Sequence, residues 1–363
     1  MSALKDMVRS AYRGAVGAAV LAALPFRVRD RRPAVFYGGA RPGDFGGTLV
    51  KVRLLQENFP EHALRFSLLY ILSNAIYVPQ RVLDNVRAAG VPVVLNQNGV
   101  FYPGWYPDGW QRENVRMAKV HAAADHVFYQ SEFCRRCAEQ FLGARNGRSE
   151  ILYNAVDTNH FTPRRAARNG PFTFLVSGKI SGWTAYRLSS SVAGLAAARA
   201  GGLDVHLTVA GLIEAKVERA ARRQIERLGL ANAVIFSGPF SAAQAPAIYR
   251  NADAYLITKH NDPCPNSVLE AMACGLPILY SASGGVPELV GSDAGMPLPV
   301  PDTFEDVAPA AEAIAEGMAR VMQDRERMAS AARARAVERF ALPHWLERHQ
   351  AVFECLLSGT SRT

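Results

Sequence analysis

The chain has little cysteine and none of the patterns that make cysteine structural. Among its 363 residues the cysteines are Cys134, Cys137, Cys264, Cys274 and Cys355. An odd number at irregular spacing does not form a disulfide framework and suits a reducing cytoplasm. Cys134-Arg-Arg-Cys137 has a metal or redox spacing, but no second pair and no nearby Cys/His set completes it, so it is read as part of a helix. Long hydrophobic runs are lacking too. Residues 14–26 are apolar between basic flanks, shorter than the ~20 residues a spanning helix needs. The run is like a signal-peptide core, yet Arg27-Val-Arg-Asp-Arg-Arg32 follows directly, without a clear small-residue cleavage site. There are no short repeats and no low-complexity tract. The net charge of +9 comes without any motif for nucleic acid, and outside residues 1–32 it is dispersed arginine with no dense run. Much of the excess sits in residues 1–32, where Lys5, Arg9, Arg13, Arg27, Arg29, Arg31 and Arg32 outnumber Asp6 and Asp30. That segment has two readings: a basic helix resting on an anionic membrane surface, or a helix packed on its own domain.

What is present is an ordinary globular composition, 49% apolar and 20% charged, in a chain long enough for two domains. Strand-like runs at 34–37, 68–72, 91–95, 126–130 and 150–153 alternate with helical ones that begin at Thr48 and Glu132 and cover 80–89 and 114–124. After the polar stretch 162–170 a second series begins, with strands at 172–177, 205–210, 234–237, 254–258 and 278–281. Such alternation predicts two doubly wound parallel sheets covered on both faces, with ligands at the carboxyl ends of the strands. The boundaries fall at 1–32 for the basic helix, 33–165 and 166–340 for the two domains, and 341–363 for a last helix carrying Trp345, Val352 and Phe353.

The stretch 259–277, Lys-His-Asn-Asp-Pro-Cys-Pro-Asn-Ser-Val-Leu-Glu-Ala-Met-Ala-Cys-Gly-Leu-Pro, carries the most chemistry. Pro265 fits the first turn of a helix and Asn266 or Ser267 can cap it, while Gly275 and Pro277 stop it. Asp262 then lies in the loop before the helix and Glu270 just over one turn inside it. Between them is a helix N-terminus that suits an anion. Carboxylates for hydroxyls beside amides for phosphate suit a nucleotide-sugar. The alternatives are a capping aspartate for Asp262 and a carboxylate stabilised by the helix dipole for Glu270.

Several stretches together resemble family 4 of the glycosyltransferases, the glycosyl transferases group 1. They are Ile151-Leu-Tyr-Asn-Ala-Val-Asp157 with Phe161 and Pro163, Phe174-Leu-Val-Ser-Gly-Lys179, Phe236-Ser-Gly238 with Tyr249 and Ala252-Asp-Ala, the 262–277 stretch, and Gly284-Gly-Val-Pro-Glu288. They span the second half of the chain in the family's order; the first half matches more loosely. The resemblance implies the GT-B fold: two Rossmann-like doubly wound domains facing a cleft, with a C-terminal helix crossing back. It implies a retaining transfer from a UDP- or GDP-linked sugar, without a metal, to a saccharide or lipid-linked acceptor in surface glycan synthesis, in the cytoplasm or at the inner face of the membrane. The chain has no Asp-x-Asp pair, the usual metal–diphosphate anchor of other sugar-transferase folds.

By the same resemblance Glu270 holds the ribose, and Asp262 contacts the transferred sugar where the family usually has the longer glutamate. The amides of Asn266, Ser267 and Val268 face sugar and phosphate. Lys179 and Arg187 stabilise the departing diphosphate, Gly46 and Gly47 let the backbone approach it, and Gly238 and Pro239, with Phe240, lie at the base. Many relatives have a histidine after the fourth strand. Here the place reads Asn96-Gln-Asn-Gly-Val-Phe-Tyr-Pro-Gly-Trp105, which offers Asn98 to a sugar hydroxyl and Tyr102, Trp105 and Trp110 to an acceptor; an Asn-capped loop with a buried aromatic patch is the alternative. His121 and His126 are expected to be satisfied structural histidines. Two rival functions remain, a catalytically silent nucleotide-sugar binder and a membrane-associated scaffold.

Overall fold

All the pairings in both sheets of the computed structural model are parallel. Residues 2–28, 32–43, 46–166 and 168–359 are described. Arg29 and Arg31 of the basic flank, Asp44 and Phe45 of the first glycine loop and Ala167 of the linker lie outside them. The chain divides into two compact units, one of residues 1–102, 106–153 and 343–363, the other of Pro103–Trp105 and Asn154–Leu342.

The first unit opens with α1 (Ser2–Ala23), followed by β1 (Val35–Phe36), α2 (Gly47–Asn58), β2 (Leu68–Leu72), α3 (Gln80–Ala88), β3 (Val93–Gln97), α4 (Trp110–Ala123), β4 (His126–Tyr129), α5 (Glu132–Leu142) and β5 (Arg148–Ile151). The strands lie in the order β1-β2-β3-β4-β5. β2 and β3 are apolar or buried at every position, as a sheet covered on both faces requires. α1 packs on α3 because Gly17 leaves room for Pro79 and Val82; a Cβ there would stand 3.0 Å from Pro79 Cγ. Tyr12 donates its hydroxyl to the Gly39 carbonyl at 2.6 Å. Both cysteines of the Cys-x-x-Cys pair are buried in α5, where the Cys134 N–H donates to the Ser131 cap and its thiol to the Gln97 carbonyl.

The second unit contains β6 (Phe172–Ser177), α6 (Tyr186–Ala200), β7 (Val205–Ala210), α7 (Ala215–Arg227), β8 (Val234–Gly238), α8 (Ala245–Arg250), β9 (Ala254–Ile257), α9 (Asn266–Ala273), β10 (Ile278–Ser281), α10 (Val286–Val290), β11 (Gly295–Leu298), α11 (Ala311–Gln323) and α12 (Arg325–Phe340). Its order is β11-β10-β9-β6-β7-β8. The winding reverses between β6 and β9, so a crevice opens at their carboxyl ends. The sequence did not announce β11, an edge strand short enough to carry Pro297. The last helix, α13 (Leu342–Leu357), belongs to the first unit, where Phe353 meets Phe59 and His349 bonds the Tyr70 hydroxyl at 2.9 Å.

The core of the second unit is fixed by close approaches as well as apolar area. Gly194 of α6 lies under Ile314 of α11, and a Cβ there would fall 2.3 Å from Ile314 Cγ2. Gly194→Ala is therefore expected to overpack this interface and cost about 1–3 kcal/mol. Urea denaturation should show a lower midpoint with an unchanged slope; an unchanged midpoint would mean that α11 shifts freely.

Candidate functional site

Three strand ends of the second unit converge through glycines. The Gly178 N–H donates to the Ala210 carbonyl at 3.0 Å, and the Gly211 N–H donates to the Gly238 carbonyl at 2.8 Å. A Cβ on Gly211 would stand 2.2 Å from the Gly178 oxygen, and Gly178, Gly211 and Gly238 all have positive φ. Only glycine fits so tight a junction. Lys179 follows immediately and is exposed. Pro239 is also exposed, just past Gly238.

Arg187 reaches the same place from α6 but is buried. Its guanidinium donates to the Ser177 carbonyl at 3.2 Å and the Lys179 carbonyl at 3.5 Å, and its Nε is enclosed with no hydrogen-bond partner. The loop 180–186 has folded into a turn whose Ser181 and Thr184 cap each other. That turn brings Arg187 back beneath Lys179, so two cations stand at the end of β6.

Across the switch point, the loop after β9 is shaped by Asn261, a non-glycine residue at φ 51°. Its N–H donates to Ser283 Oγ and its side chain to the Thr303 carbonyl. Asp262 is committed within this loop. One carboxylate oxygen accepts the Lys259 ammonium at 2.7 Å, and the other accepts the Cys264 N–H at 3.3 Å. Lys259 in turn stands 5.0 Å over the Trp105 ring. Sequence reasoning gave Lys259 no role. Its i,i+3 spacing to Asp262 was the available signal, but the pair lies in a loop, where such spacing promises no contact.

Helix α9 begins differently from expectation. Pro265 is its N-cap, and no side chain caps it. The Asn266 carboxamide oxygen instead accepts from Asn154 at 2.8 Å, while the same Asn154 nitrogen holds the Cys264 carbonyl. The Asn266 and Ser267 amides are thus left to other acceptors, whereas the Val268 N–H closes a turn on the Pro265 carbonyl at 3.1 Å. Glu270 is partly buried, and the buried Tyr249 hydroxyl donates to its Oε2 at 2.7 Å. Burial raises the Glu270 pKa above the ordinary carboxylate value, with Tyr249 and then His160 acting against that rise.

In the first unit, Gly46 and Gly47 start α2, Gly46 at φ 89°, with open space around both Cβ positions. Asn98 is not free to meet a hydroxyl on all sides. Its Oδ1 accepts Lys51 at 2.8 Å and also Gln130, and its Nδ2 donates to Asn74 at 2.7 Å. The buried Lys51 also donates to Asn96 at 2.8 Å. It was missed because one lysine in the helical run after Thr48 reads as a solvated position. Tyr102 is 7% exposed and offers no open ring face, and Trp110 packs edge-on against Phe141. Trp105, by contrast, belongs to the second unit, where the Gly104 N–H donates to the Phe304 carbonyl at 3.0 Å. His121 is a buried partner of the Tyr129 hydroxyl, its pKa lowered to about 4 by burial, and His126 pairs with Glu150.

Residues 161–336 match the family profile described as glycosyl transferases group 1. D-inositol 3-phosphate glycosyltransferase of Paenarthrobacter aurescens is 26% identical over 212 residues, 54% of this chain and 52% of that protein. The Mycolicibacterium gilvum protein of the same name is 30% identical over 173 residues, 46% of this chain and 39% of its own. The chain thus spans about half the length or less of these curated relatives. Among solved structures, Anabaena HepE in complex with UDP superposes with a TM-score of 0.66 over 94% of this chain and 96% of that one at 20% identity. Sucrose-phosphate synthase of Thermosynechococcus elongatus gives 0.61 over 85% and 77% at 17%. The fold is GT-B.

The raised pKa of Glu270 has a direct consequence for stability. A carboxyl whose folded pKa lies above its unfolded value contributes stability below the ordinary carboxylate pKa and loses it as pH rises through the raised one. As pH rises through that raised pKa, ionising Glu270 costs stability. Glu270→Gln is expected to match or exceed the parent in urea denaturation at pH 7.5, with the difference shrinking by pH 4. A large loss at pH 7.5 would make Glu270 a structural anchor.

Proposed function

Residues 161–336 form a glycosyl transferases group 1 domain in a chain of GT-B fold, and on that basis we propose that the protein is a retaining glycosyltransferase using a nucleotide diphosphate-sugar. The observation that carries this reading is the pairing of loops at the β6/β9 switch point. One brings Lys179 and Arg187, the other Asp262 and the uncapped start of α9. Glu270 is ready for two ribose hydroxyls: Tyr249 fixes one oxygen and the other remains to accept. The diphosphate lies against the α9 amides and the Gly178 turn, with Lys179 and Arg187 balancing its charge.

The bond from the anomeric carbon to the diphosphate oxygen breaks as a bond to the acceptor oxygen forms on the same face. The acceptor proton passes to the departing phosphate oxygen. The protein positions these groups and stabilises the leaving charge. Two cations do so in place of a metal. Asp262, held by Lys259, aims its carboxylate at the sugar from a fixed place. The donor is UDP- or GDP-linked, and the acceptor is a saccharide or a lipid-linked one in surface glycan assembly.

A panel of UDP- and GDP-sugars read by nucleotide release tests this. One donor should turn over, Glu270→Gln should weaken its binding about 10–100-fold from the lost charged hydrogen bonds, and Lys179→Ala should lower kcat. Binding without turnover across many acceptors would favour a silent nucleotide-sugar binder instead.

The membrane reading rests on α1. No helix among the described residues is long and apolar enough to cross a membrane. The outer face of α1 leaves Met7, Val8 and Leu21 exposed, while Val16 and Val20 face the unit. We propose that this face rests on an anionic surface. Full-length protein should sediment with phosphatidylglycerol vesicles, and Val8→Glu with Leu21→Glu should abolish this while donor turnover stays intact. Failure of the parent to sediment would overturn the proposal.

A further inference from the structure

A cavity of about 600 Å³ in the second unit is lined by five arginines, Arg164, Arg165, Arg250, Arg325 and Arg333, and, among the described residues, by no carboxylate. It lies at the edge opposite the donor loops. Ala252 and Leu276, which line it, precede β9 and β10, whereas Lys179 and Asp262 follow β6 and β9. One face of α12 forms a wall through Arg325, Ala329 and Arg333, and Gly275 brings the end of α9 against Pro163.

The arginines divide into two kinds. Arg333 is spent on the backbone, donating to the carbonyls of Phe161, Ala273 and Thr158. Arg164 donates to the Ala252 carbonyl and to Asp253 at 2.6 Å. Asp253 is the nearest counter-charge and already holds Arg168 as well. Arg325 stands 4.0 Å from it, with its Nε enclosed and without a hydrogen bond. Burial, and then Arg164, lower the pKa of Arg325. Arg325 also opens α12, where the helix dipole disfavours a cation. Arg250 keeps only a 3.5 Å contact to Thr162, and Arg165 is exposed at the rim. Arg165, Arg250 and Arg325 thus carry donors that the fold does not use.

We propose that this cavity binds a phosphorylated small molecule, its phosphate held by Arg250, Arg325 and Arg165 at the start of α12. A phosphate there takes forked hydrogen bonds from the guanidinium groups, accepts from the first amides of α12, and relieves the repulsion among its own ligands. The volume suits a phosphosugar-sized ligand rather than a bare ion. The cavity form favours a soluble ligand over an extended surface.

Isothermal titration at constant ionic strength, with chloride as the balancing anion, tests the site using inorganic phosphate and glucose 6-phosphate. The parent should bind glucose 6-phosphate saturably and inorganic phosphate more weakly. Arg250→Gln with Arg325→Gln should weaken glucose 6-phosphate at least tenfold, and Lys179→Ala at the donor loops should leave it unchanged. Binding that survives the arginine pair, binding lost with Lys179→Ala, or no saturable binding of either probe would overturn the proposal. If the double variant fails to fold by circular dichroism, Arg165→Gln on the exposed rim decides instead, with at least a threefold weakening expected and an unchanged affinity counting against the site.

Discussion

A parallel sheet delivers all its carboxyl ends to one edge and all its amino ends to the other, and the second unit is built on that asymmetry. Hydrogen bonding fixes the strands in parallel, and right-handed crossovers turn each following helix so that its N-terminus faces the carboxyl edge. That edge therefore collects uncapped amides, positive dipole ends and the glycine turns at Gly178, Gly211 and Gly238. Where the winding reverses between β6 and β9, two loops part instead of running side by side. Cations from one and a carboxylate from the other are left at the same crevice, an arrangement on which the proposed donor site rests.

Much of this could be read in advance because the signals were local. β2, β6, β7 and β10 fall at the expected residues, since runs such as Phe172–Ser177 are mostly apolar and bounded by glycine or proline. The edge strand β11 was invisible because Gly-Met-Pro-Leu has neither periodicity nor β-branched residues. The resemblance singled out Glu270, Lys179 and Arg187, but the contacts that hold this region together were not legible. Tyr249 bonds Glu270 across 21 positions, and Asn154 reaches Asn266 across 112. Contacts between distant positions leave no trace in spacing. The same is true of Lys51, whose burial depends on Asn96 and Asn98 arriving from another strand.

Asp262 shows how structure changes a residue's meaning without moving it. A carboxylate one methylene shorter than glutamate looked like lost reach. In the fold it is gripped on both oxygens, by Lys259 and by the Cys264 N–H. The positive φ of Asn261 places it there, and Gly284 is packed so close that a Cβ would stand 2.5 Å from the Asp262 carbonyl oxygen. A short side chain on a rigid turn of positive φ is a defined position, and for the proposed sugar-contacting role definition matters more than reach. Lys259 also touches the Trp105 ring, so the carboxylate, the ammonium and the indole form one unit.

The opposite edge follows from the same polarity. Helices α8 and α9 end there, and their last carbonyls carry partial negative charge that cations satisfy. Arg333 takes the Ala273 carbonyl at the end of α9, and Arg164 takes Ala252 just past α8. Those two arginines are explained by the fold. Arg325 is not, because α12 begins where its neighbours end, and its amides add positive charge to a guanidinium whose Nε is enclosed and that lies near Arg164. A sheet edge that calls for cations at two helix ends has acquired one at a helix start, where its counter-charge Asp253, 4.0 Å away, is already held by Arg164 and Arg168.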